Sequence, residues 1–222
     1  MARGVHYPFA IRHSPLTTQD SKLQAAAVQF DPKPFTIVKS VAQRGLLKWW
    51  SDPRRKGKLP SRSECDTEEL ARLKADTALY QVERAGERLR FKCLSHGTNL
   101  RPIDGRDLTG LYQDDFLPEE VRDRALSAYD ATVTMRCPIY TLRNAADAQG
   151  VPVTFERLRV PLSENGSDID HLLTHVEIFC EDGRYQRDNL LLAGLSVGEY
   201  VVTAAISFAA IGLSPGAQII DT

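Results

Sequence analysis

The chain has 222 residues, of which 42% are apolar and 26% charged, and its formal net charge is −1. That is length enough for one proper core, in a composition typical of globular proteins. The near-neutral balance excludes bulk electrostatic attraction to nucleic acid or acidic membranes.

Residues 1–35 are interrupted by Pro8, Pro15, Pro32 and Pro34, and only the run Leu23 to Val28 has the makings of a helical turn. MARGVHYPFAIRHSP holds no continuous apolar run, so no secretory signal is expected. From Ile37 to Trp50 the apolar residues Val41, Leu46, Leu47, Trp49 and Trp50 follow a helical pattern that stops at Asp52-Pro53. The basic loop RRKGKLPSR comes next, beside the two tryptophans. Aromatic and basic residues together can bind nucleic acid. Here Glu64, Asp66, Glu68 and Glu69 follow at once and blunt the field, which favours a solvated helix end. Asp66 with Glu69 predicts a capping box opening a second helix.

Beyond Leu79 the apolar period changes to two. LYQVER, AGE and RLRFKCLS predict a hairpin in which Leu89, Phe91 and Cys93 share one face. LPEEVRDRALSAYDATVTMRC predicts a long helix with Val121, Ala125, Leu126 and Tyr129 as its apolar stripe. NAADAQG predicts a turn between IYTLR and VPVTFERLRVPL. In the latter, Leu158, Val160 and Leu162 alternate with Arg157 and Arg159, giving an apolar and a charged face. SENGSD carries Asn-Gly, a strong hairpin signal. A three-residue Glu164-Asn165-Gly166 loop, with Gly166 left-handed, sets Leu158 against Leu172 and keeps the apolar set together.

His171 and His175 then share one face of the last strand, roughly 13 Å apart, too far to chelate one zinc ion. On that face Leu173 and Phe179 accompany them, with Phe155 expected across the hairpin, so something must cover it. The candidates are the Val41–Trp50 helix, the apolar tail from Leu190, or a second subunit. The tail LLLAGLSVGEYVVTAAISFAAIGL predicts a buried helix, with a capping box at Ser196 to Glu199 and a stop at Gly212. Glu199 in mid-segment argues against a membrane anchor.

Cys65, Cys93, Cys137 and Cys180 stand singly without a C-x-x-C, as reduced thiols of a cytoplasmic protein do. No nucleophile elbow, Walker loop, H-E-x-x-H or EF-hand pattern is present, so no catalytic residue, metal ligand or cofactor is named.

LLKWW with its basic loop, PSRSECDTEEL, LRFKCLSHGTNL, GRDLTG and ERLRVPLSENGSDIDHLL, in this order, resemble the stand-alone PAS-type domains of proteobacteria, especially alphaproteobacteria. The resemblance runs from about Leu46 to Cys180. It implies an α+β fold, a five-stranded antiparallel sheet with helices on one face, and a sensory or interaction role without catalytic residues. The expected division is an N-terminal extension (1–40), the PAS-like domain (41–182) and an apolar C-terminal extension (183–222). Phe91, Cys93, Tyr129, Leu158, Val160 and Val176 are the expected lining of a ligand pocket between sheet and helices. A homodimer is expected, with a small-molecule ligand or a protein as further partner. A structural adaptor or homodimerising protein without ligand is the alternative.

Overall fold

The structure is a computed structural model that describes residues 28–86, 88–181, 183–190 and 200–208. The expected turn in Leu23 to Val28, the Ser196–Glu199 box and the Gly212 stop lie wholly or almost wholly outside these residues. The elements are β1 (Asp31–Pro34), α1 (Val41–Trp50), α2 (Glu68–Ala71), β2 (Thr77–Ala85), β3 (Arg88–His96), α3 (Leu100–Ile103), α4 (Gln113–Phe116), α5 (Glu119–Thr134), β4 (Ile139–Ala146), β5 (Pro152–Leu162), β6 (His171–Phe179) and β7 (Tyr200–Ser207).

The strands form one sheet of seven, in the order β1-β7-β4-β5-β6-β2-β3. The five expected strands are its antiparallel body, β3-β2-β6-β5-β4. The two extra strands come from the terminal extensions: β7 pairs antiparallel to β4, and β1 parallel to β7. The expected tail helix is therefore corrected over Tyr200–Ser207. YVVTAAIS is rich in β-branched residues and stands beside an open sheet edge, and pairing there satisfies its backbone. Its apolar character on both sides fits a strand covered on both faces, with Ala204, Ala205 and Ile206 buried.

Helices lie on both faces of the sheet, not one. On the outer face, α1 and Leu70 of α2 pack Leu46, Leu47 and Trp50 against Leu158, Val160, Leu162, Leu173 and Ile206. Ser40 caps α1, its Oγ accepting from the Gln43 amide at 3.1 Å. The Trp50 indole donates to the Pro161 carbonyl at 2.8 Å and stacks on Phe208. The inner face, under α3 and α5, carries Phe91, Cys93, Phe155 and Leu172, with Tyr129 of α5 packed among them. The second helix is shorter than predicted and starts one residue later. Thr67, not Asp66, caps it, its Oγ1 accepting from the Leu70 amide at 3.3 Å.

The predicted register of the β5–β6 hairpin is not observed. Leu162 pairs with His171, Val160 with Leu173 and Leu158 with His175, leaving residues 163–170 as the loop. The Asn165 side chain builds that loop: its Oδ1 accepts from the amides of Ser167 and Asp168 at 2.8 and 2.7 Å. Leu158 and Leu172 thus face opposite sides of the sheet. Pairing them keeps the apolar set together only on a sheet with one covered face, and here both faces are covered. Gly166 is left-handed as predicted, with φ +78°. Gly166→Val is expected to destabilise the chain by about 1–2 kcal/mol through backbone strain alone, since its nearest neighbours, in the Lys58 side chain, are at ordinary contact distance. Urea denaturation checks this; an unchanged midpoint would refute it.

Candidate ligand cavity

A cavity of about 80 Å³ lies between the inner face of the sheet and α3, α4 and α5. Ile103, Leu117, Ala125 and Tyr129 form its helical wall, and Ala78, Tyr80, Thr174 and Val176 part of its sheet floor. The rest of the floor is made by Arg143 of β4, Arg157 and Arg159 of β5, and Tyr200 of β7. Strand alternation puts the three arginines on the same side as Phe155, while Leu158 and Val160 point to α1. Arg159 is buried, with its guanidinium 4.5 Å over the Tyr129 ring. Arg157 is half-buried, 4.4 Å over the Phe155 ring. Burial lowers the pKa of Arg157, with the charge of Arg159 adding to the effect. Arg143 falls to about 10 through burial and the charge of Arg157.

Asp104 is the carboxylate of the lining, and His96 holds it. His96 is buried; its Nδ1 accepts from the Leu108 amide at 3.2 Å, which leaves Nε2 to donate to Asp104 at 2.8 Å. The histidine thus fixes the GRDLTG segment against β3. Gln113 donates to the Tyr80 hydroxyl at 2.7 Å. Two buried lining atoms, Arg159 Nε and Thr174 Oγ1, have no hydrogen-bond partner.

Of the six residues expected to line a pocket, Tyr129 and Val176 do so. Phe91 and Cys93 belong to the same inner core behind Tyr129, whose ring lies 5.1 Å from that of Phe91. Burial pushes the Cys93 thiol up to about 12, so it packs as an apolar group. Leu158 and Val160 lie on the opposite face, in the α1 core, because β5 shows the cavity its arginines. Phe155, expected on the outer face, is inner for the same reason. Sequence reasoning missed Arg143, Arg157, Arg159 and Thr174.

The outer face is polar at one point. Glu156 is fully buried; its Oε1 accepts from the amides of Lys39 and Ser40 and from the Tyr140 hydroxyl, at 2.8, 3.0 and 2.9 Å. Ser40 Oγ donates to Glu177 at 3.0 Å. His175 is buried next to them, its Nδ1 without a partner, and its carbonyl accepts from the Gln43 side chain at 3.4 Å. Beside α1 an open groove of about 780 Å³ is lined by Val41, Leu46, Leu70, Leu73 and Phe179 among others. His171 turns instead to the loop, its Nδ1 2.6 Å from Asp170. Glu164, Asp170 and His171 bring ligand-type atoms within 4.8 Å of one another, all on the hairpin loop and its margin.

Burial lowers the His175 pKa from 6.5 to about 4, partly offset by Asp76. In that window the unfolded chain binds the proton and the folded one does not, so stability rises with pH across it and is lost as pH falls. Glu177 acts in the opposite sense, since burial raises its pKa above 4.5 against the hydrogen bond from Ser40. His175→Gln is expected to remove about 2–3 kcal/mol of the acid-side loss. Urea denaturation of both proteins at pH 7, 5.5 and 4.5 tests this; parallel pH curves would refute it.

Among the described residues no helix is long and apolar enough to cross a membrane. No curated protein and no solved structure matches the chain. The sequence model of one family, described as PAS domain, matches residues 38–176. That span contains α1, the whole cavity floor except Tyr200, and, but for the last three residues of β6, the five-stranded body in its order β3-β2-β6-β5-β4. The chain belongs to the PAS domain family.

Proposed function

We propose that this protein is a non-catalytic sensory or signalling module that binds a small ligand in the inner cavity and relays its occupancy to α1. The observation that carries this reading is the cavity itself. It lies between sheet and helices and is lined by apolar side chains with a few convergent polar groups, the mix that small-molecule sites use. β5 supplies a route for the relay: Arg157 and Arg159 face the cavity, while Glu156, their neighbour in sequence, holds the Lys39 and Ser40 amides that lead into α1. The free thiols of Cys65, Cys93, Cys137 and Cys180 support a reducing, cytoplasmic setting.

The outer groove favours a protein partner as well, a second copy of this chain. Val41 is 77% exposed and Phe179 42% exposed beside it, on a face otherwise closed by α1. The test is native mass spectrometry and sedimentation of the full chain purified without added ligand. A small molecule that leaves on denaturation, and a dimer at micromolar concentration, are expected. A bare mass, with no thermal response to a panel of metabolites, would overturn the ligand reading and leave the adaptor. A monomer would overturn the dimer.

A further inference from the structure

We infer that the cavity takes a small oxyanion, a carboxylate or a phosphate, held by Arg157 and Arg159 with the Thr174 hydroxyl; this rests on the ligand-binding reading above. The two arginines alternate on β5, so both forks reach the same side from Cα atoms roughly 7 Å apart. Arg159 and Thr174 are direct partners in the β5–β6 register. Both are nine-tenths buried or more, both line the cavity, and each has a buried polar atom that no protein group satisfies. Buried polar atoms are almost always paired, so two unpaired neighbours in one cavity wall mark a place for a ligand.

The chemistry of these groups selects the ligand. A guanidinium has only donors, and a threonine hydroxyl can add one more. Arg157 and Arg159 share the lining with one carboxylate, Asp104, and His96 already holds that. Among the described residues no carboxylate lies within ion-pair distance of Arg157 or Arg159, the cavity's own Asp104 being paired with His96 alone. The guanidinium carbons of Arg157 and Arg159 lie over the rings of Phe155 and Tyr129, and of the Arg159 N–H groups one donates to Thr141 Oγ1 at 3.5 Å while Nε has no partner. Guanidinium N–H edges match the paired oxygens of a carboxylate or phosphate. Like charges buried together are unfavourable until an anion joins them; burial first, and the neighbouring arginine second, lowers the pKa of Arg157. At about 80 Å³ the cavity accepts an anion of a few heavy atoms and is too small for a nucleotide, flavin or haem.

The test uses the full chain, with melting temperature and titration calorimetry as readouts and four probes: sodium phosphate, sodium malonate, uncharged malonamide, and sodium chloride at matched ionic strength. One of the two anions is expected to raise the melting temperature by about 5–10 °C at a hundredfold excess over its Kd. A response to phosphate alone assigns a phosphate, and one to malonate alone a carboxylate. Arg159→Met is expected to weaken that binding about tenfold or more while leaving the free protein at least as stable, since it removes a buried charge. Thr174→Val, of nearly equal shape, is expected to weaken binding without unfolding the chain. Equal stabilisation by sodium chloride would mean an adventitious ion only and overturn the inference. So would malonamide binding as well as malonate, or an Arg159→Met protein less stable than the wild type. If no probe acts but a neutral molecule is retained in native mass spectrometry, the oxyanion falls and the sensory reading stands. If nothing is retained either, both fall.

Discussion

Glu156→Ala is expected to release α1 from the sheet and to lower stability by about 3–5 kcal/mol. Glu156 is the most completely buried carboxyl group on the outer face, and a single oxygen accepts three hydrogen bonds there. Two of the donors are backbone amides at the start of α1, which have no partner within the helix. The third is the hydroxyl of Tyr140, itself buried in the α1 core. Truncation leaves all three donors buried and unpaired, and opens a cavity as well. Glu156→Gln keeps an acceptor oxygen and gives a donor to the position of Oε2, which has no partner. It is expected to stay within about 1 kcal/mol of the wild type. Urea denaturation gives the two stabilities, and hydrogen exchange in Gln43–Trp50 reports the docking of α1. Equal losses in the two variants, or unchanged exchange in Glu156→Ala, would show that Glu156 does not hold the helix.

Gly97→Ala is expected to be nearly as damaging, at about 3 kcal/mol or more, although it adds one methyl group. A Cβ on Gly97 would stand 2.3 Å from the carbonyl oxygen of Ala75. That oxygen cannot move away, because it accepts from the Asn99 amide at 2.9 Å, and Gly97 itself donates to the Thr77 carbonyl at 3.0 Å. The Asn99 side chain donates to Asp76 at 2.9 Å and ties the same segment again. The glycine of HGTNL therefore lets the chain leaving β3 pass against the chain entering β2. A melting temperature within a few degrees of the wild type would show that the crossing can widen.

The five-stranded body was legible because its signals are local. The alternation of Leu89, Phe91 and Cys93, the turn in NAADAQG and the stripe ending at Tyr129 each depend on near neighbours, and each fixes an element within a few residues. What could not be read locally was which face of β5 meets which cover. Charged residues usually face water, so Arg157 and Arg159 read as solvated and Leu158 and Val160 as pocket. The sequence held one clue against this: Leu173 and Phe179 already required a cover on the other side of β6. A strand with two covered faces has no solvated side, so its arginines had to be buried somewhere. The hairpin register failed for a related reason. With both faces apolar, hydrophobic matching no longer selects one register, and the Asn165 side chain decided it. The strand character of residues 200–207 depended on an open partner edge at β4, which a single segment cannot announce.

The two outermost strands set how this sheet can meet other chains. β1 is short, fully exposed and reads DPKP. A strand that must donate towards β7 can carry proline only where the amide would face outward, so Pro32 and Pro34 strip the free side of donors. At the far end, β3 is closed midway: the Cys93 amide donates to Leu111 at 2.9 Å, and the Gly110 amide donates to the Cys93 carbonyl at 2.8 Å. Among the described residues neither end offers a full row of free donors and acceptors, which disfavours propagation into a continuous sheet and favours self-association side chain to side chain through a face.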